Sequence, residues 1–377
     1  MKKWLYMVGV LGICGTVGFS QVPKEDLSKQ LLQAASACDY EKIEALCNSG
    51  KLTPEDLNAE SEDGFTPLMY TVSHRFCVKG TKKLLSQKGI NINKITATGN
   101  NALLVATENE NALSVRALIL KDDDSARTAT NVNISTPEEG ETPLMRAAIN
   151  NSGEIMKELF KRDDLNVNAK DLKGATALIY SVNCKMAGFS ALDGLRKLLN
   201  HPKIKINERD NAGNTALMYV AMRDWPGALR VLFKDDDDNF RKALNVNAKN
   251  NEGVSALMMA AENGTRGLVQ EFFTHPHTAE NAIDLRGRTA LIHAIIAENA
   301  AMVRELLDNK KVDLTLKDFD FKRNALDWAK YRVREKDGDA EVKARILAMV
   351  EREVSQSEAR EKEKVLRTVT TSLKNGR

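Results

Sequence analysis

Aromatic residues are scarce in this chain: Phe, Trp and Tyr together make up 5% of its 377 residues, against 42% for hydrophobic residues as a whole. A chain of this length could hold two or three globular domains, each with its own bulky core. Many aliphatic residues with few aromatics instead favour short helices that share one continuous core. We therefore expect the length to reflect the number of repeated units.

Excess charge of either sign is also missing. Beyond the first twenty residues, which contain Lys2 and Lys3 and no acid, 53 basic residues face 52 acidic ones, a formal charge of +1. Binding to nucleic acid through bulk charge needs a basic excess. The balance therefore predicts no nucleic-acid partner.

Signatures of catalysis are absent as well. The only closely spaced glycines, at positions 9, 12, 15 and 18, lie in an apolar N-terminal run and not in a phosphate-binding loop. No Ser or Cys nucleophile signature is accompanied by a plausible base. We predict that the chain is not an enzyme and needs no cofactor.

Two features resemble metal sites only loosely. His275 and His277 lack an evident third and fourth ligand, and the acidic runs 122–124 and 235–238 lack the alternating spacing of a calcium loop. A second His-Pro pair at His201 indicates that such pairs end helices, and the acidic runs are interpreted as solvated insertions. A metal-dependent enzyme using these groups is the alternative hypothesis.

Long apolar runs are confined to the N-terminus. Two lysines precede an apolar stretch over residues 4–19, and small residues, Gly18 and Ser20, precede Gln21. This order is typical of a cleaved secretory signal peptide over residues 1–20. It predicts an exported protein, periplasmic or secreted, with no membrane span after signal removal.

Two other fates for the N-terminus stay open. The run could remain as an uncleaved anchor, although it is short for a membrane span. It could also carry a lipid on Cys14, although Ile13 stands where a lipoprotein signal has a small residue. Either fate would make the chain a membrane-tethered structural scaffold.

Repetition is what the sequence has in abundance. A block exemplified by Gly-x-Thr-Pro-Leu-Met recurs seven times, and a degenerate copy begins at Lys322. Its glycines lie 34 to 41 residues apart, at Gly64, Gly99, Gly140, Gly174, Gly213, Gly253 and Gly287. Periods of this size indicate stacked supersecondary units, each in contact with its neighbours only.

Each block predicts a helical pair. The Gly permits a left-handed backbone, a Thr such as Thr142 caps a helix, and Pro143 fits its first position. An apolar stripe at helical spacing about ten residues later, for example Leu195, Leu198 and Leu199, indicates a second helix. Polar loops containing Asn-x-Asn follow, and their side chains can bond to the backbone and to the next loop.

The segment NVNAKDLKGATAL (166–178) resembles the ankyrin repeat in both spacing and residue type. The resemblance implies an all-α repeat solenoid of stacked helix-turn-helix units with β-hairpin-like loops. One departure is that the His usual after Thr-Pro-Leu is replaced by Met, Leu or Ile. We expect apolar packing in its place, at Met69, Leu104, Met145, Ile179, Met218, Met258 and Ile292.

This similarity divides the chain into three parts. Residues 1–20 form the signal, residues 21–352 form about nine repeats, and residues 353–377 form a charged C-terminal helix or tail. Residues 27–57 and the segment from Lys322 onward are the two caps of the array.

Four cysteines follow residue 20, at positions 38, 47, 77 and 184. Cys38 and Cys77 occupy similar places in consecutive units. We expect the separation of stacked units to exceed the reach of a disulfide. The prediction is therefore that these cysteines are free thiols.

The resemblance implies that one position of each first helix points into a concave groove with the loop tips at its rim. We predict that these residues bind another protein, since several are aromatic or Arg; the alternative is that they only cover seams between repeats. The helix positions are Tyr70, Arg146, Tyr180, Tyr219, Met259, His293 and Trp328. The predicted rim residues are Glu62, Asp63, Glu138, Glu139, Arg286 and Arg288.

Overall fold

A computed structural model describes residues 26–97, 99–119, 130–183, 192–233 and 244–375, with side chains up to residue 365. The predicted signal peptide, Cys14, Cys184 and both acidic runs lie outside the described residues. Within them the chain forms nine helix-turn-helix units and one short extra helix, which confirms the all-α repeat solenoid.

The first helix of each unit is called helix A and the second helix B. The A helices are α1 (Leu27–Ser36), α4 (Pro67–Ser73), α6 (Ala102–Glu108), α8 (Pro143–Ile149), α10 (Ala177–Val182), α12 (Ala216–Met222), α14 (Ala256–Asn263), α16 (Ala290–Ile296) and α18 (Ala325–Arg334). The B helices are α2 (Tyr40–Asn48), α5 (Val78–Leu85), α7 (Ala112–Ile119), α9 (Gly153–Leu159), α11 (Leu192–Leu199), α13 (Pro226–Phe233), α15 (Arg266–Thr274), α17 (Ala300–Asp308) and α19 (Ala340–Asn375). The short helix α3 (Pro54–Leu57) joins the first two units.

The A helices start as the repeated block predicts. The Thr142 side chain accepts a hydrogen bond from the Met145 N–H, and Pro143 fills the first helical position. Each of the equivalent threonines Thr66, Thr176, Thr215 and Thr289 likewise accepts a bond from the N–H three residues on. These caps satisfy backbone donors that a short helix leaves unpaired.

The residues in place of the family's His are buried, as predicted. Met145, Met218 and Met258 are fully enclosed in the core. The sulfur atoms of Met145 and Met258 each also accept the N–H of the capping residue three positions earlier, at 3.4 Å. Methionine therefore supplies both apolar packing and an acceptor at the start of the helix.

The units stack through like helices. Each A helix packs against the A helix of the next unit, and each B helix against the next B helix. The apolar stripes of the B helices face this shared interior, where Leu195, Leu198 and Leu199 are buried. The core therefore runs continuously along the array, as a repeat architecture requires.

A ladder of asparagines joins the loops. The Asn168 side chain accepts the Lys205 N–H at 2.9 Å and donates to the Lys203 carbonyl at 2.7 Å, both in the next unit. The same acceptor role falls to Asn58, Asn93, Asn133, Asn207, Asn247 and Asn281. This confirms that the Asn-rich loops bond to one another.

The loop tips form a second ladder, made of backbone. The Leu172 N–H donates to the Glu139 carbonyl at 3.0 Å, and the series ends where the Phe319 N–H donates to the Arg286 carbonyl at 2.7 Å. Phe319 comes so close that a Cβ on Gly287, which has φ +77°, would lie 2.8 Å from its ring. In the described part of the chain the loops contain isolated β-bridges but no strand.

The cysteine prediction is wrong for one pair, because Cys38 and Cys77 form a disulfide with their Cα atoms 5.5 Å apart. The distance between stacked helices does not determine the distance between these two cysteines. The residue just before a helix B lies next to the turn between the two helices of the preceding unit. In the third unit Asn111 has this place and donates to the Val72 and His74 carbonyls of the second. Cys47 is free and buried, as expected.

The C-terminal cap is longer than the repeat pattern suggests. Helix α19 begins at Ala340, packs against α17 and α18, and continues without a break to Asn375. Ile346 and Val350 are buried, whereas residues 355–365 are exposed. The predicted boundary at residue 352 thus falls inside one helix.

Candidate functional site

The predicted contact residues of the helices A are tied to the loops of their own units. The Tyr180 hydroxyl donates to Asp171 and the Tyr219 hydroxyl donates to Asp210, each at 2.6 Å. Burial and the neighbouring carboxylate raise the pKa of both phenols, that of Tyr219 to about 12. Each ring is half-buried and held in place from its polar end.

Tyr70 and Arg146 follow the same plan with other partners. The Tyr70 hydroxyl bonds to Ser61 at 3.0 Å, and the Arg146 guanidinium lies 3.6 Å from Glu141 and 2.8 Å from Glu108 of the preceding unit. Both side chains are half-buried. With Tyr180 and Tyr219 they form a row on four of the units, which we call the ring row.

The other three predicted contact residues are more deeply buried than a binding surface requires. Met259, His293 and Trp328 are 7%, 2% and 8% exposed. His293 lies between two acids, with Nε2 3.1 Å from Asp284 and Nδ1 2.5 Å from Glu262. These three side chains therefore offer little surface to a partner.

In several units a carboxylate of the loop bonds to the side chain at this position of helix A. Trp328 Nε1 donates to Asp318 at 3.0 Å, as the two tyrosines donate to Asp171 and Asp210. Sequence reasoning missed these acids, although an Asp nine or ten residues before the helix position is a visible signal.

The predicted rim residues lie at the loop tips. Glu62, Asp63, Glu138, Glu139 and Arg286 are exposed. Arg288 is half-buried and pairs with Asp284 at 2.7 Å. Although burial acts to raise the pKa of Asp284, hydrogen bonds from the Arg288 N–H and guanidinium lower it overall.

Acidic side chains cluster at the tip of the fourth unit. Burial, and then the Glu139 carboxylate beside it, raise the pKa of Glu141. Asp171 adds to this effect, and Arg146 opposes it.

The last unit contains an aromatic cluster that sequence reasoning did not identify. The Arg323 guanidinium carbon lies 3.8 Å from the Tyr331 ring centre, 5.1 Å from Trp328 and 4.8 Å from Phe321. Phe319 and Phe321 are more than half exposed beside it. The helical spacing of Trp328 and Tyr331 was the available signal.

The histidines of the two His-Pro pairs, His201 and His275, lie at helix ends, as predicted. His275 is the C-cap of α15, and its Nδ1 accepts the His277 N–H at 3.3 Å. The His201 ring lies against Phe160, and burial lowers the pKa of both His201 and His275. Across the described residues no group of three or more His, Cys, Asp or Glu could hold a metal ion.

A cavity of about 470 Å³ lies between helices α9 and α11, away from the ring row. Lys157, Lys197 and Lys203 are among its lining residues. Asp193 neutralises Lys197, and the carbonyl ends of both helices offset the remaining positive charge. The cavity therefore has no clear preference for an anion.

None of the helices in the described ranges is long and apolar enough to cross a membrane.

Comparison with known proteins identifies the repeat. A family model described as Ankyrin repeats (3 copies) matches residues 31–128, 125–210, 184–275 and 257–336. The Neurogenic locus notch homolog protein 1 of Xenopus laevis is 26% identical over 187 residues, which is 47% of this chain and 7% of that protein. A putative ankyrin repeat protein of Fowlpox virus (strain NVSL) is 30% identical over 186 residues, 48% of this chain and 50% of that protein. The chain thus matches half or less of the length of these relatives.

Solved structures show the same fold. The ankyrin repeat domain of Bcl-3, a member of the IkappaB protein family, aligns with a TM-score of 0.52 and 20% identity over 65% of this chain and 97% of that domain.

Proposed function

Because the chain belongs to the ankyrin repeat family, whose repeats generally mediate contacts between proteins, we propose that it binds another protein through the concave face formed by its helices A and loop tips. Proteins of this family are generally scaffolds without enzymatic activity. The proposal needs neither a cofactor nor a metal.

The ring row is the observation that supports this face most directly. Tyr70, Arg146, Tyr180 and Tyr219 are residue types enriched at binding hot spots, and each is half-buried and fixed by a bond from its polar end. A partner that contacts pre-ordered side chains loses less conformational entropy on binding. Both the residue types in the ring row and their fixed positions therefore suit contact with a protein surface.

The test compares captured proteins between variants of equal melting temperature. Tyr180→Ala/Tyr219→Ala should lose partners by at least about tenfold, since it removes two adjacent anchors. Tyr180→Phe/Tyr219→Phe, which keeps the rings, should retain most binding. Leu113→Ala, an exposed change on helix B that leaves the ring row intact, is the matched control.

Partners are captured on the immobilised chain from periplasmic and extracellular fractions and quantified by mass spectrometry. If the alanine double variant captures the same set at the same yield as wild type, binding does not use this face.

We also propose that the protein is exported. The support is the Cys38–Cys77 disulfide, since disulfides persist mainly in oxidising compartments. Mass spectrometry of the mature chain should find Gln21 at the N-terminus. An acylated Cys14 or an intact first segment would instead favour the membrane-tethered scaffold.

A further inference from the structure

Two unmatched charges of opposite sign lie on the same row of loop tips. At the acidic end, Glu62, Asp63, Glu138 and Glu139 are exposed. Within the described ranges, no Lys or Arg forms an ion pair with any of them. Burial and the neighbouring Glu139 carboxylate raise the pKa of Glu141 at this tip. A cation from outside the chain would stabilise this tip.

At the basic end, Arg286, Lys317 and Lys322 are exposed and Arg323 is half-buried. No described Asp or Glu forms an ion pair with any of these four groups. Asp320 is the one exposed acid among them, so the tip is basic overall.

Comparison with the preceding unit shows that Arg323 differs from its counterpart. Arg288 takes two bonds to the loop acid Asp284. In the last unit the equivalent acid Asp318 accepts Trp328 Nε1 and the N–H groups of Phe321 and Arg323 but not the Arg323 guanidinium. That guanidinium instead stacks among aromatic rings, with donors left for an outside carboxylate.

The two ends cannot neutralise each other within one chain. Five units separate the tip of Glu139 from that of Arg323, which at roughly 10 Å per packed helix is on the order of 50 Å. The screening length at about 0.1 M salt is roughly 10 Å. Each excess is therefore available to an external partner of opposite charge.

We propose that two copies of the chain associate antiparallel along their loop tips, with Glu138 and Glu139 of each copy against Phe319, Phe321 and Arg323 of the other. This self-association goes beyond the binding of a partner at the concave face.

A two-fold arrangement fits this distribution of charge because each copy contributes both an acidic tip and a basic tip to the contact. The same surface serves on each copy, so one rotation places Glu138 and Glu139 of each copy on the basic tip of the other. The exposed rings of Phe319 and Phe321 supply apolar area beside the charges. The contact is small, so we expect a weak, salt-sensitive dimer.

The experiment is sedimentation velocity of the purified chain over a concentration series. Wild type should move from monomer to dimer, and raising the salt from about 50 to 500 mM should weaken the dimer by about tenfold or more. Glu138→Arg/Glu139→Arg and Lys322→Glu/Arg323→Glu should each be monomeric alone. Mixed at equal amounts, the two variants should form a heterodimer, because reversed tips attract each other and native tips remain matched.

Charge reversals on the B helices, Glu154→Arg and Arg304→Glu, are the matched controls and should dimerise like wild type. A chain that stays monomeric at every concentration overturns the proposal, as does a mixture of the two swapped variants that fails to associate. Open polymers would overturn the two-fold arrangement. Circular dichroism of each variant ensures that loss of the dimer is not loss of fold.

Discussion

Tyr180 and Tyr219 show that one side chain at a repeated position can have both a structural role and a proposed binding role. Each was predicted as a contact residue from its place in helix A, and that role remains a proposal. The structure adds that each hydroxyl is bonded to a loop carboxylate, so the same side chain joins helix to loop. The sequence indicated the helix position, but the choice of partner depends on how the loop folds back over the helix.

We expect the phenol of Tyr219 to titrate late. Its pKa is raised to about 12 by burial and by the bond to Asp210, against about 10 for a free phenol. The folded state favours the neutral form, so this contribution to stability is complete below about pH 10 and is lost as the pH rises through 12.

Tyr219→Phe should therefore flatten the fall in unfolding free energy between pH 10 and 12, measured by urea titration, with absorbance at 295 nm reporting phenolate formation. Identical pH profiles for wild type and variant would contradict the assignment.

Arg323 shows the limit of residue-level inference. Its repeat position is that of Arg288, and the sequence gives no reason to treat the two differently. In the structure Arg288 pairs with Asp284, although His293 also contacts that carboxylate, whereas the Arg323 guanidinium lies over the rings of Tyr331, Trp328 and Phe321. The choice between a carboxylate and a group of rings becomes visible only when all the neighbouring side chains are placed.

At the scale of elements, the cap and loop chemistry was predictable and one tertiary link was not. The threonine caps and left-handed glycines follow from local backbone preferences. Cys38–Cys77 depends on how the start of one helix B sits on the previous turn, which no local preference encodes.

The asparagine ladder should contribute measurably to stability. Asn168→Ala removes two bonds to the next unit and should lower the free energy of unfolding by about 1–3 kcal/mol. Asn166→Ala is the matched control, because its side chain only accepts the Asn168 N–H within its own loop, and it should cost less. Equal losses in chemical denaturation would show that the links between units add nothing.

The disulfide should stabilise the first unit against unfolding away from the second. It closes a loop with a sequence separation of 39, for which about 2–4 kcal/mol of stabilisation is expected. Cys38→Ala/Cys77→Ala should speed hydrogen exchange in helices α1 and α2, while helices α12 to α16 keep their protection. Reducing agent should make wild type behave like the variant; unchanged exchange in α1 would argue against a stabilising role.

At the scale of the whole molecule, the number of units and their order followed from the spacing of seven glycines together with the two cap segments. The length of α19 did not, because its charged second half has no repeat to compare with. The ion pair of Arg360 with Glu353, seven residues earlier, links that half to the start of the exposed part of the helix.

Two truncations should distinguish how much each half of α19 contributes to stability. Removing residues 358–377 keeps Ile346 and Val350, and the side chains of residues 358–365 are exposed, so it should shift the melting temperature by less than about 2 °C. Removing residues 340–377 also deletes Ile346 and Val350, which are buried against the last two units, and should cost several kcal/mol, about 10 °C. Melting followed by circular dichroism checks both; a large loss from the shorter deletion would mean that the exposed half has a packing partner.

Each rung of the asparagine ladder joins a unit only to the one beside it, from the first unit to the eighth, so tension applied to the two ends would load these rungs in series. The weakest rung would yield first, and the array would lengthen stepwise as single units detach. The covalent tie at Cys38 and Cys77 would keep the first two units together throughout, so pulling could release the other seven but not divide that pair.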